Sequence, residues 1–295
     1  MKRSFEKILI LAMVLVFAAI GICGCAEEEA TGAEGMYYLI VPDAEDAYWQ
    51  ACYEGFARAA EAAGVSAELM GAQGAEQAEM IRDAAATLPS GIAVAADVPF
   101  DVAGAIDEAV DAGVPVVCVG KDVPESGRLS FIGTGNYEAG MAAAGAIAQM
   151  LGGSGVISGT LLPGDAVQEE RWRGVYDAIA GSYPDITVID PASGRGDSEE
   201  MARQLKALLE YNPQIKGIIA GGDGDGAALV EAVTGTDLGE GLSAVTFDGS
   251  GGGDGFAMVA SNDDMMGYWA FELVYSAARG EKIPEEVDTG YTIVK

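Results

Sequence analysis

The turn that follows the first apolar run, Pro42-Asp43-Ala44-Glu45-Asp46-Ala47-Tyr48-Trp49, sets two aromatic rings beside three carboxylates. Tyr48 and Trp49 open a helix, and a ring in that place can stack on the apolar face of a sugar or of a planar ligand. A neighbouring carboxylate such as Asp46 then accepts hydroxyl hydrogens. The competing reading is that both rings pack the start of the helix. No glycine occurs in the turn, so the phosphate-cradling fingerprint of a dinucleotide fold is missing where such an enzyme would carry it.

Other chemistries fare worse. The 295 residues contain no histidine, which removes the commonest general base, the His-dependent triads and most zinc sites. Asp43, Glu45, Asp46, Asp223 and Asp248 could be paired for glycoside hydrolysis. With 46 acidic residues in the chain, chance proximity is expected, and no feature marks one of them as a raised-pKa acid. Gly221-Gly222-Asp223-Gly224-Asp225-Gly226 resembles a fragment of a calcium loop but lacks the spaced oxygen ligands and the closing glutamate. It reads as a strand-to-helix turn. The glycine-rich stretch 249–255 has no accompanying Gly-Lys-Ser/Thr and reads as a flexible connection. No catalytic residue, metal site or cofactor is expected.

Lys2, Arg3 and Lys7 precede an apolar run over 8–22, which Ile22-Cys23-Gly24-Cys25 closes ahead of Glu27. A basic start, a short apolar core and small residues at the junction read as an export signal. A membrane span would need ~20 apolar residues. The close resembles the lipobox of bacterial-type lipoproteins, which makes Cys25 the expected acylated first residue of an extracytoplasmic chain tethered by residues 26–35. An ordinary signal peptide or an uncleaved anchor helix is the alternative. Removing Lys2, Arg3, Lys7 and Glu6 from the 16 basic and 46 acidic residues leaves 13 against 45, a formal charge of −32. That field repels nucleic acid and anionic headgroups, so membrane contact is expected through the lipid alone. Cys52, on a helical face with Trp49 and Phe56, and Cys118, in an apolar run, read as buried free thiols.

Any such site must be positioned by an alternation of elements. Apolar β-type runs occur at 36–41, 65–70, 92–96, 114–119, 156–160, 186–190, 217–220 and 242–247. Helical patterns separate most of them, at 80–88, 102–112, 137–151, 168–180 and 201–211. Strands apolar throughout and separated by helices predict an α/β fold of parallel sheets covered on both faces. The rhythm breaks near Gly133-Thr134-Gly135, with four βα units before it and four strands after it. Two doubly wound, Rossmann-like lobes are therefore expected, with ligand in a cleft beyond the carboxyl ends of the strands. Asp197 and Glu200 predict a capping box, and Asn212-Pro213 predicts the end of that helix.

Four phrases arrive in an order that resembles a known family: Ala112-Gly113-Val114-Pro115-Val116-Val117, Ile132-Gly133-Thr134-Gly135-Asn136-Tyr137-Glu138-Ala139-Gly140, Asn212-Pro213-Gln214-Ile215-Lys216-Gly217-Ile218 and Phe247-Asp248-Gly249. From residue 36 onward the chain resembles the type I periplasmic binding proteins of the ribose and galactose class, which deliver sugars to ATP-driven importers. The resemblance implies a three-segment hinge, with crossings near Thr134, Ser261 and Ile283. Residues 36–134 with 262–282 would form the N-terminal lobe, and 135–261 with 283–295 the C-terminal lobe. It also implies ligand contacts from Asp46, Tyr48 and Trp49, from Gly120 and Lys121, from Arg171, from Gly222 and Asp223, from Asp248, and from the neighbourhood of Ser261.

The chain also departs from that pattern. Gly120-Lys121 stands where sugar binders usually carry Asp-Arg, Gly222 where they often carry Asn, and Ser261 where they usually carry Gln or Asn. Each lost amide or carboxylate removes a group that would select a hydroxyl pattern, so a ribose-like specificity is not implied. Residues 249–256 are also too short and glycine-rich for the helix usual there. Lys121, Arg171 and Arg195 put up to three of 13 basic residues near cleft turns, so an acidic sugar competes with a neutral one. Equally, these cations could balance neighbouring carboxylates. The function implied is capture of a small polar ligand by a monomer, for delivery to an ABC permease. A receptor signalling to a sensor kinase or chemoreceptor and an extracytoplasmic glycosidase are the alternatives.

Overall fold

A computed structural model describes residues 35–222, 224–248 and 255–295. The expected signal peptide, Cys25 and nearly all of the tether lie outside the described residues, as do Asp223 and residues 249–254 of the glycine-rich stretch.

The first lobe is built from β1 (Met36–Val41), α1 (Ala47–Ala63), β2 (Ser66–Gly71), α2 (Gly74–Ala86), β3 (Gly91–Val94), α3 (Pro99–Asp111), β4 (Val116–Val119) and β5 (Phe131–Gly133). The second contains α4 (Asn136–Met150), β6 (Gly155–Thr160), α5 (Ala166–Ser182), β7 (Ile186–Val188), α6 (Ser198–Tyr211), β8 (Ile215–Ala220), α7 (Asp225–Val233), β9 (Ser243–Phe247) and β10 (Phe256–Ser261). The chain then returns through α8 (Asp263–Ala278), β11 (Glu286–Asp288) and β12 (Tyr291–Val294). One six-stranded sheet runs β11-β5-β4-β3-β1-β2 with every pair parallel, the other β12-β10-β9-β8-β6-β7 with only β12 antiparallel. All residues of β3 and β4 are buried, as continuous apolar runs in a doubly covered sheet require.

Two features of the connections bear on the site. Asp46, Asp165 and Asp197 cap α1, α5 and α6, each accepting a backbone N–H of the first turn. The expected box at Asp197 and Glu200 is half formed. Asp197 accepts the Glu200 N–H at 2.7 Å, but the Glu200 carboxylate turns to Arg203 and Gln204 instead of back to the cap. The third crossing also differs from expectation. Glu286–Asp288 pairs with β5 in the first sheet and Tyr291–Val294 with β10 in the second, so the chain changes lobe at Thr289-Gly290, not near Ile283. Backbone pairing decides this, because Val287 sits opposite Ile132.

Each lobe has one close helix pair made by reciprocal glycines. In the first, a Cβ on Gly55 of α1 would lie 1.8 Å from the Asp264 carbonyl oxygen, and one on Gly267 of α8 would lie 1.7 Å from that of Cys52. In the second, a Cβ on Gly140 of α4 would lie 1.9 Å from the Arg171 carbonyl oxygen, and one on Gly174 of α5 would lie 2.0 Å from that of Tyr137. Backbones thus touch directly, fixing the rotation of each helix about its axis. Cys52 and Cys118 are buried free thiols, and burial, ahead of nearby carboxylates, pushes both up to about 12.

Candidate functional site

Strand ends from both sheets and the first turns of α1, α4 and α5 surround a cavity of about 230 Å³. Of the residues expected at a binding site, Tyr48, Trp49, Lys121, Arg171 and Asp248 line it, with Gly120, Gly222 and Ser261. Asp46 does not. Its carboxylate accepts the Tyr48 N–H at 2.8 Å, so it caps α1 and orients the two rings that follow. Arg195 is also not among the lining residues. Asp223 lies outside the described residues.

The aromatic wall belongs to the first lobe. Tyr48 and Trp49 meet edge to face at 4.6 Å between ring centroids, and the Tyr48 hydroxyl lies 3.6 Å from the Met266 sulfur. Both rings are half-buried and pack on the first-lobe core, so packing and cavity lining are combined in the same side chains. Gly120 makes the Trp49 position available. With φ at +74° it follows β4 in the left-handed region, and a Cβ there would lie 2.9 Å from the Trp49 ring.

The charged wall belongs to the second lobe. Arg171 of α5 is 6% exposed, and its Nε donates to Asn136 Oδ1 at 3.0 Å and its Nη1 to the Gly221 carbonyl at 2.9 Å. Its guanidinium lies 4.3 Å from the Phe247 ring centroid, and its Nη2 is 3.8 Å from Asp248 Oδ2. Asp248 is nearly as buried and holds a φ of +46°, a backbone region costly for a residue other than glycine. It stays there because Oδ1 accepts both the N–H and the hydroxyl of Ser261, at 2.6 and 2.9 Å. Ser261 ends β10 at the second lobe crossing, so the cavity's buried ion pair is bonded straight to the hinge.

Among the described residues, one ion pair spans the cleft. Lys121, following β4, places Nζ 3.5 Å from Oδ2 of Asp165, whose Oδ1 caps α5 through the Gln168 N–H at 3.0 Å. Lys121 also approaches the Asp97 carbonyl at 3.5 Å. Asp97, Asn136 and Gln168 line the cavity too and were missed among the sequence candidates. Asp97 directly follows the expected 92–96 strand, and Gln168 is the first residue of the expected 168–180 helix, so the strand-end and first-turn positions marked both. Asn136 sits inside the quoted Ile132–Gly140 phrase, where its contact with Arg171 has no local signature.

Comparisons with known proteins come to the same place. A family model described as a periplasmic binding protein domain matches residues 37–282. A solved sugar-binding protein of a sugar ABC transporter from Bacillus halodurans superposes with a TM-score of 0.79 at 34% identity, over 88% of this chain and 97% of that one. An arabinose-binding protein from Geobacillus stearothermophilus gives 0.81 at 28% identity, over 89% and 97%. A D-apiose import binding protein from Actinobacillus succinogenes is 29% identical over 153 residues, 50% of this chain and 47% of that protein. The chain thus spans about half the length of the curated relatives it matches. A matched segment that covers all but the last strand added to each sheet, together with the cavity between the sheets, makes the assignment plain: this chain belongs to the periplasmic binding protein family.

Proposed function

We propose that the protein captures a neutral sugar between its lobes and presents the closed form to an ABC importer outside the cytoplasm, without chemistry on the ligand. The observation that carries this reading is the pairing of a half-buried Trp49 ring from one lobe with a buried Arg171–Asp248 pair from the other, on one cavity. Trp49 offers a face for stacking, Arg171 donates and Asp248 accepts. Both cations near the ligand face carboxylates, Lys121 facing Asp165 and Arg171 facing Asp248, which favours a neutral ligand over a sugar acid. The arabinose, D-arabinose and D-apiose named for relatives support the same class.

A thermal-shift screen of the purified protein against sugars, sugar acids, polyols and nucleosides tests the reading. A ligand at about 100 times its dissociation constant should stabilise the fold by ~2.7 kcal/mol. Neutral sugars are the expected hits. Stabilisation by sugar acids alone would move the ligand class to anions.

We also propose that the protein is held to the membrane by an acylated Cys25, on the strength of the lipobox-like Ile22-Cys23-Gly24-Cys25. Metabolic lipid labelling of the protein and of Cys25→Ser checks the anchor. Label should be lost from the variant, and equal label on both would place the lipid elsewhere.

A further inference from the structure

Beside the cleft cavity lies a second one, of about 560 Å³. Both are lined by Lys121, Thr134, Asn136, Asp165 and Val167, so a single layer of side chains separates them. The Lys121–Asp165 ion pair lies in that layer. Its atoms are 3.5 Å apart, and the lysine side chain is 38% exposed against 16% for the aspartate, so the lysine can turn out to solvent while Asp165 stays on α5.

The second cavity repeats the chemistry of the first. Phe131, Tyr137, Pro99 and Pro124 supply rings and apolar surface. Tyr137 is held in place, since its hydroxyl donates to Asp177 at 2.9 Å and the Arg173 guanidinium lies 4.7 Å from its ring centroid. Phe131 is held as well, its ring filling the space where a side chain on Gly133 would stand. Carboxylates of Glu138 and Glu170 lie among these surfaces and can accept hydroxyl hydrogens. Asp122, Asp165 and Glu286 bring the lining carboxylates to five; Arg128, Lys121 and Arg173 pair with Asp122, Asp165 and Glu170, and Glu138 and Glu286 add two further negative charges, which disfavours an anionic occupant.

We infer that the second cavity is a subsite for the next ring of a neutral disaccharide whose first ring occupies the Trp49 cavity. This rests on the neutral-sugar reading above and deepens it. The ligand passes between the lobes at the Lys121–Asp165 pair, displacing the lysine side chain and leaving Asp165 to cap α5. Adjacency to the cleft, carboxylates set among fixed rings, and a net negative lining together select a sugar over a phosphate or a sulfated group.

Titration calorimetry with D-arabinose, L-arabinose, D-galactose and D-fucose, and with neutral disaccharides built from such units, tests the inference. Ala166 lines only the second cavity and is exposed at the start of α5, so Ala166→Trp should narrow that cavity and keep the fold. Glu138→Trp closes the same space from α4. The expected result is a disaccharide that binds at least as tightly as its own monosaccharide unit. Both variants should weaken that disaccharide tenfold or more and leave the monosaccharide within twofold. Monosaccharides that bind while every disaccharide binds a hundredfold weaker would overturn the subsite and leave the neutral-sugar reading standing. Equal weakening of both ligand lengths by both variants would also overturn it. A protein that binds no sugar of either length would bring down the neutral-sugar reading and the subsite together.

Discussion

Trp49 and Arg171 respond to substitution in different ways because one straddles core and cavity while the other is a buried charge. Trp49 is half-buried on the first-lobe core and lies against Gly120 at the cavity wall. Trp49→Ala should cost ~1 to 3 kcal/mol of sugar binding, the range of aromatic stacking platforms. The melting temperature should fall as well, since part of the ring packs α1 on its sheet. Calorimetry and thermal melts of the same variant separate the two effects, and unchanged affinity would assign the ring to packing alone. Arg171 has a larger structural share. Arg171→Ala leaves Asp248 buried beside Phe247 without its cation, and breaking a buried pair from one side costs about 3 to 5 kcal/mol. Denaturant unfolding should therefore show loss of stability as well as loss of binding. A variant with wild-type stability and no binding would mean that Arg171 faces ligand more than it faces Asp248.

Helix pairs set where those side chains stand. In α4 and α5 the contact at Gly140 falls on the carbonyl of Arg171 itself, so the placement of the guanidinium depends on backbone touching backbone one turn from the cavity. Gly140→Ala puts a methyl 1.9 Å from that oxygen, and overpacking of this kind costs ~1 to 3 kcal/mol. The same substitution at Gly104, where nothing lies within 4 Å of the added carbon, should be neutral or slightly stabilising. Gly140→Ala should lower both the melting temperature and the sugar affinity, with Gly104→Ala as control. An unchanged affinity in Gly140→Ala would uncouple helix spacing from the site.

Much at this scale is legible in the chain. β1 spans the expected 36–41, and the other seven expected strands form within a few residues of their apolar runs; the central β3 and β4, buried throughout, announce themselves by continuous hydrophobicity. β5, β11 and β12 are only three or four residues long, and the last two, at sheet edges, carry exposed residues, so no periodicity marks them. That is why the third crossing falls at Thr289-Gly290, where backbone pairing rather than side-chain pattern decides the lobe. The site divides in the same way. Trp49, Lys121, Arg171 and Asp248 sit at strand ends or helix starts, positions a sequence marks, while the Asn136 contact with Arg171 depends on how α4 packs on α5.

The whole molecule is two sheets joined at three crossings that are themselves bonded into a unit. Asp288 Oδ1 accepts from the N–H groups of Gly135 and Gly290 at 2.9 and 2.8 Å, and Asn262 Nδ2 donates to the Thr289 carbonyl at 2.7 Å. First, second and third crossings are thereby linked, so a hinge motion of the lobes would turn about one compact axis rather than three loose strands. In the proposed capture, closure about that axis would bring Lys121 to Asp165, and ligand would favour closure by touching both lobes. A neutral sugar carries no charge for salt to screen, so any dependence of its affinity on ionic strength must come from charges that meet across the cleft. The Lys121–Asp165 pair, with a partly exposed lysine and a mostly buried aspartate at 3.5 Å, is worth about 1 kcal/mol, and 1 kcal/mol is about fivefold in affinity. Affinity for a neutral sugar should therefore fall by up to about fivefold between low and high salt. Lys121→Met should start at the lower affinity and show no such fall, while Asp165 keeps its role as the cap of α5. Calorimetry at two ionic strengths reads both proteins. An undiminished salt dependence in Lys121→Met would place the charges that govern closure elsewhere on the facing surfaces, and a hundredfold loss of affinity would mean that Lys121 grips an anionic group on the ligand itself.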